Sequence, residues 1–230
     1  MNVAIIAAAG QGLRLAGKRP KQFLELAGTP IIFHTLQAFE QCDSIQEIIV
    51  VIAAAESAGF LSLAGKRELR KLRKVVPGGA TRAESVLRGL QAVRETTVEI
   101  VAVHDAVRPF VTADEIARTV AAAQVEGAAI LVSAPVDTVK EVCEGAVVKT
   151  LRRDDLRNAL TPQCFRYKLL RRAYEQADVF DPDLTDESSL VERLGERVAI
   201  VEGSARNIKI TRPEDLVLAE RLLTSNFLTF

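Results

Sequence analysis

The 230-residue chain carries 30 basic and 30 acidic side chains and is 48% hydrophobic, the profile of a globular protein long enough to bury a core without disulfide or metal staples. Balanced charge excludes a global field for nucleic acid or for an anionic membrane, so an anion site has to be a local basic cluster. Two histidines and three scattered cysteines, Cys42, Cys143 and Cys164, give no histidine-rich or CxxC metal site and suit reduced thiols in the cytoplasm.

The first predicted strand, Val3–Ala8, has no basic leader or cleavage site ahead of it, and no apolar run reaches membrane-spanning length. A helix follows over Pro30–Cys42, then strands over Glu47–Ile52 and Lys74–Val76. Next come a helix over Ala83–Arg94, a strand over Ile100–His104, a helix over Ala113–Val125 and a strand over Ala128–Ser133. Val136–Cys143 and Ala146–Leu151 flank the turn-like pair Glu144-Gly145 and read as a β-hairpin. Such a ribbon needs something to pack on, either a dimer partner or its own domain. Helices over Arg166–Ala177 and Pro213–Leu223 bracket a last strand over Val198–Val201. Thr81, Thr112 and Thr211, each followed three residues later by a glutamate, mark helix starts with capping-box spacing. Continuous apolar strands alternating with helices predict one α/β domain built on a mostly parallel sheet covered on both faces.

Three strings carry chemistry. In Ala7–Arg14, a buried strand ends in small residues and opens into a loop whose Gly10 and Gly12 let the backbone approach an anion; Arg14 and Lys21 add mobile charge. The string has no GK[ST] and does not fit GxGxxG. In Pro77–Ser85, two glycines and a capped helix start offer exposed amides for a base edge or a phosphate. In Val103–Pro109, Asp105 sits at a strand's carboxyl end, where an open α/β sheet places its ligand crevice and where a carboxylate suits a hard cation such as Mg²⁺. His104 reads as a structural, hydrogen-bonded residue beside it.

Together AAAGQGLR, PKQF, GGATRAESV, HDAVRP, APVDTVK, ALTPQ, TDESS and NIKITRPEDL, in this order from Ala7 to Leu216, resemble the 2-C-methyl-D-erythritol 4-phosphate cytidylyltransferase family. The resemblance implies a Rossmann-like fold, dependence on Mg²⁺ or another divalent cation, CTP and methylerythritol phosphate as substrates, and a homodimer joined through hairpin arms at about 136–153. It also implies roles. Arg14, Lys21, Arg153 and Lys209 would be catalytic. Ala8, Ala9, Gly10, Gly12, Gly79, Ala80 and Ser85 would bind CTP. Asp105, Arg108, Thr138 and Thr185 would bind the acceptor, with Asp105 also at the metal and Thr138 and Arg153 donated across the dimer. Ala80, Leu15 and Val107 depart from common family choices, the first at a backbone contact and the others as packing changes. A ribitol 5-phosphate cytidylyltransferase shares the loop and aspartate strings and is the nearest alternative; a hexose-phosphate nucleotidyltransferase would leave the later strings coincidental, and a non-catalytic nucleotide-binding module should have lost some of the charged positions, which are all present.

Overall fold

The computed structural model describes residues 1–10, 20–94 and 96–224. Its first half contains β1 (Asn2–Ala8), the short pair β2 (Glu25–Leu26) and β3 (Thr29–Pro30), α1 (Ile31–Gln41), β4 (Glu47–Ile52), α2 (Ser57–Ala64), β5 (Leu72–Pro77), α3 (Arg82–Gln91) and β6 (Ile100–Asp105). There follow α4 (Ala113–Glu126), β7 (Ala128–Ser133), β8 (Lys140–Cys143), β9 (Ala146–Thr150), β10 (Asn158–Arg166), α5 (Tyr167–Glu175), α6 (Glu187–Arg193), β11 (Ala199–Glu202) and α7 (Pro213–Thr224).

Seven strands form one sheet in the order β11-β7-β10-β6-β1-β4-β5, and only β10 runs antiparallel to its neighbours. The strands are apolar on both faces because both faces are covered. Along β1, Ala4, Ile6 and Ala8 join Phe33, Leu36, Phe39 and Ile116 on one side, whereas Val3 and Ile5 join Val86, Leu90, Leu170 and Leu190 on the other. The predicted mostly parallel, two-sided α/β architecture is the one observed. A third, smaller cluster seats α7 through Ala219 against Leu26, Ile31, Val107 and Ile210.

Several local expectations are corrected. β10 is absent from the predicted elements because Pro162 interrupts its pattern, and a proline normally argues against a central strand. Here it falls in a register shift between Ala159 and Gln163, so the ladder resumes beyond it. The hairpin strands are shorter than predicted. Pairing ends where the Leu151 amide donates to the Val139 carbonyl (3.0 Å), and Val136 instead presents its carbonyl to Arg153 Nη1 at 2.8 Å. Glu144 and Gly145 both have positive φ, 48° and 80°, as a tight hairpin turn requires. Every residue of β8 and β9 is exposed, including Val142, Val147 and Val148. Thr81 and Thr112 cap their helices as expected, the latter in a full capping box. At α7, however, Asp215 replaces the expected Thr211–Glu214 pair, accepting from the amides of Thr211 and Arg212 and from the Thr211 hydroxyl. Asp215 lies at the third helical position behind Pro213, so its carboxylate is the one that reaches back.

Helix α3 lies unusually close to the sheet. A Cβ at Gly89 would stand 2.7 Å from Ile5 Cγ2 and 2.8 Å from Val51 Cγ2. Intrinsic propensity favours alanine over glycine inside a helix by about 1 kcal/mol, but overpacking a filled core costs about 1–3 kcal/mol. Gly89→Ala is therefore expected to destabilise the protein in urea unfolding; a gain in stability would show that α3 rides off the sheet freely.

Candidate active site

β1 and β6 are parallel neighbours with Ala7 in register with Asp105, so their carboxyl ends open side by side. The Ala106 amide donates to the Ala7 carbonyl (3.0 Å), and Gln22 Nε2 donates to the Ala8 carbonyl (2.7 Å), fixing the exit from β1. The loop after β5 meets this exit closely: a Cβ at Gly78 would lie 2.2 Å from Ala9 Cβ, so glycine there is a steric requirement. Between these segments lies a cavity of about 310 Å³.

Most of the sequence-predicted residues converge on it. Ala8, Ala9 and Gly10 line one wall, Gly79, Ala80 and Ser85 another, and Lys21, Asp105 and Lys209 complete it. Gly12 and Arg14 lie outside the described residues. Arg108 is not on the cavity wall; it is buried behind Asp105, where Nη1 donates to the Asn207 carbonyl at 2.8 Å and Nε approaches Asp105 Oδ2 at 3.5 Å. Thr138 and Arg153 stand exposed at the base of the β8–β9 hairpin, and Thr185 is exposed just ahead of α6, so none of these three lines the cavity within one chain. Gln22 and Arg82 do line it and were not anticipated. Arg82 lies in the quoted GGATRAESV string, but its spacing to Asp105 and Glu187 becomes visible only once three segments fold together.

The amides expected to be open after β5 are already engaged. Gly79 N–H donates to Ser85 Oγ at 3.0 Å, and Ala80 N–H donates to Glu84 Oε2 at 2.6 Å. Glu84 is held in turn by Arg88 Nη2 at 2.7 Å. The first turn of α3 thus folds back on the loop that precedes its N-cap Thr81.

Asp105 dominates the electrostatics. Burial alone would raise its pKa, but Arg82 and then Lys209 and Arg108 hold it well below the usual carboxylate range. Lys209 Nζ lies 2.8 Å from Oδ2 and Arg82 Nε 3.2 Å from Oδ1. Among the described residues no cluster of three His, Cys, Asp or Glu side chains could hold a metal on its own. Among the described residues Asp105 is the one acidic side chain on the cavity wall. That donor set fits Mg²⁺ only together with phosphate oxygens of a bound substrate, the way Mg²⁺ is commonly held.

His104 is structural, as its sequence context suggests. Its Nε2 meets the Arg108 carbonyl at 3.2 Å, and a carbonyl can only accept, so Nε2 carries the proton. Nδ1 therefore accepts from the Thr161 hydroxyl at 2.9 Å, and the same oxygen accepts the Asp105 amide N–H at 3.3 Å. Burial pushes the imidazole pKa down to about 3, so the ring is neutral and no candidate base near pH 7. Thr161 on β10 is thus the pin that fixes the end of β6. Thr161→Val would orphan two buried polar groups at about 1–3 kcal/mol each. Urea unfolding should show that loss, with Thr161→Ser close to the parent; a Thr161→Val protein as stable as the parent would refute the pin.

A sequence model described as 2-C-methyl-D-erythritol 4-phosphate cytidylyltransferase matches residues 2–225. Proteins of that name from Bacillus cytotoxicus and Geobacter metallireducens are each 44% identical over 223 residues. The first match spans 97% of this chain and 98% of the relative, the second 96% of each. The crystal structure of 4-diphosphocytidyl-2C-methyl-D-erythritol synthase from Anaerococcus prevotii superposes with a TM-score of 0.87 at 33% identity, covering 97% of this chain and 96% of its own. That of the cytidylyltransferase from Thermus thermophilus gives 0.78 at 36% identity, covering 96% and 98%. With near-complete coverage in sequence and in structure, the chain belongs to the 2-C-methyl-D-erythritol 4-phosphate cytidylyltransferase family.

Proposed function

We propose that the protein transfers the cytidylyl group of CTP to 2-C-methyl-D-erythritol 4-phosphate, releasing pyrophosphate, in non-mevalonate isoprenoid precursor synthesis. The observation that carries this reading, beside family membership, is the convergence of Lys21, Asp105 and Lys209 on one cavity at the carboxyl ends of β1 and β6. An oxygen of the acceptor's phosphate forms a bond to the α-phosphorus of CTP while the bond from that phosphorus to the bridging oxygen breaks, and the electron pair leaves with pyrophosphate. A phosphate monoester is already ionised near neutral pH, so no base has to make the nucleophile. That agrees with a site whose nearest histidine is buried and neutral.

The barrier is electrostatic, because two polyanions must meet and charge must move to the leaving group. Lys21 and Lys209 supply positive charge from opposite segments, and the family resemblance assigns the same role to Arg14. Asp105 orients Lys209 and is the residue that would hold Mg²⁺, whose charge would offset that of the triphosphate. The small residues Ala8, Ala9 and Gly10, with Gly79, Ala80 and Ser85, form the nucleotide side, to which the family resemblance also assigns Gly12. Arg108 acts on the acceptor side through Asp105 and the Asn207–Lys209 segment, and the family resemblance assigns Thr185 to the acceptor as well.

Thr138 and Arg153 enter from the hairpin of a second copy, giving a homodimer in which each site borrows an arm. Support for that comes from a ribbon in which every strand residue is exposed, Val142, Val147 and Val148 included. Among the described residues no helix is long and apolar enough to cross a membrane. Cys42, Cys143 and Cys164 are all free thiols, which suits the cytoplasm.

Lys21→Ala is expected to lower kcat by about 10²–10³ in a pyrophosphate-release assay, by analogy with loss of one preorganised transition-state donor. Lys21→Arg should fail too, since a planar fork does not replace a compact ammonium; near-parental turnover by Lys21→Ala would exclude the assignment. In the same assay methylerythritol phosphate should outperform ribitol 5-phosphate as acceptor. Mixing inactive Arg153→Ala and Lys21→Ala proteins in equal amounts should restore about a quarter of the parental activity, because half the dimers are hybrids with one intact site each. No recovery after subunit exchange would place Arg153 in its own chain's site.

A further inference from the structure

Arg82 opens α3 on the cavity wall, and its guanidinium is divided between two carboxylates. Nε donates to Asp105 Oδ1 at 3.2 Å, while Nη1 donates to Glu187 Oε1 and Oε2 at 2.8 and 2.9 Å. Glu187 begins α6 with its side chain 1% exposed, and Tyr174 of α5 donates its hydroxyl to Glu187 Oε1 at 3.1 Å. A line of contacts therefore runs from Tyr174 through Glu187 and Arg82 to Asp105 and ends on Lys209 at the cavity.

The division is unusual for these groups. A guanidinium beside a carboxylate normally closes a two-bonded fork. Here Asp105 receives Nε alone on Oδ1, and its Oδ2 serves Lys209 at 2.8 Å. The two bonds from Nη1 to Glu187 fix the plane of the guanidinium. Rotation that brought Nη2 onto Asp105 beside Nε would pull Nη1 away from Glu187. Nη2 has no hydrogen-bond partner among the described residues, on a side chain that faces the cavity. A buried ion pair is often no better for stability than a well-packed apolar pair, so the Glu187–Arg82 pair is explained by orientation rather than by fold stability.

We propose that Glu187, seated by Tyr174, is a positioning residue for the reaction: it restrains Arg82 from forking onto Asp105, which keeps Lys209 on Oδ2 and leaves Nη2 at the cavity. The inference rests on the cytidylyl-transfer reading for its kinetic arm and on CTP binding alone for its other arm. Glu187→Gln keeps size and shape but removes the charge that tethers Nη1. Per folded molecule, kcat for pyrophosphate release is expected to fall about tenfold, in line with small displacements of reacting groups. The CTP dissociation constant measured by calorimetry should rise about three- to fivefold. In an Arg82→Lys background, where no fork can form, Glu187→Gln should remove less than about twofold more, the non-additivity expected of one chain of contacts. A purely structural role would instead reduce the folded fraction and leave kcat and CTP affinity per folded molecule unchanged, whereas losses that add fully to those of Arg82→Lys would show that Glu187 acts independently of Arg82; either result overturns the proposal. If Glu187→Gln does not fold, Tyr174→Phe decides, with about a threefold loss in kcat and in CTP affinity expected and parental values overturning it. A parent that binds CTP but does not turn over methylerythritol phosphate refutes the functional reading, and the calorimetric arm still decides the role of Glu187. A parent that binds no CTP refutes both.

Discussion

The buried carboxylate of Asp105, shared among three cations, is the constraint on which the rest of the site depends. Arg82, Arg108 and Lys209 come from three distant parts of the chain, so the charge balance that keeps Asp105 ionised exists only when α3, the turn after β6 and the segment before α7 are all in place. An unpartnered carboxylate at that depth would take up a proton. With three partners it does the reverse and becomes a fixed anion that orders cations around it. Counting Glu187, two carboxylates face three cations, leaving one positive charge in excess before Lys21 is added. A strand end that lines the cavity is thereby made attractive to anions while Asp105 itself stays paired.

The sheet is what makes that arrangement rigid. β6 is central, flanked by β1 and β10, and Thr161 of β10 ties the Asp105 amide to the His104 ring. Asn207 extends the same support by donating Nδ2 to the Thr161 carbonyl at 2.9 Å and receiving Arg108 at its own carbonyl. The segment that carries Lys209 is therefore held to β10 and to the turn after β6 through backbone groups. Lys209 can then be presented by an irregular stretch of chain without losing its place.

Much of this was legible in the residues themselves. Predicted strands of five or six mostly apolar residues located β1, β4, β6 and β7 to within a residue, because strands covered on both faces leave a nearly unbroken signature. Small residues before Gly10, the Gly78-Gly79 pair and Asp105 at a strand end pointed to the walls of one cavity. Three things were not legible. β10 hides behind Pro162, whose cost is absorbed by an irregularity that only the paired strands reveal. Arg82 and Glu187 had no role in the sequence reading, since their pairing spans 105 positions. The Gly79 and Ala80 amides looked open because composition says nothing about Ser85 and Glu84 of the next turn folding back to accept them.

That last contact changes what binding at this wall means. With Glu84 already accepting the Ala80 N–H, any ligand atom that uses the same donor displaces a carboxylate oxygen, and the net gain is the difference between two similar bonds rather than the worth of one. A donor arranged in this manner contributes little to overall tightness. Its effect falls on selection, since a guest lacking a suitable acceptor leaves Glu84 where it is and finds the wall closed.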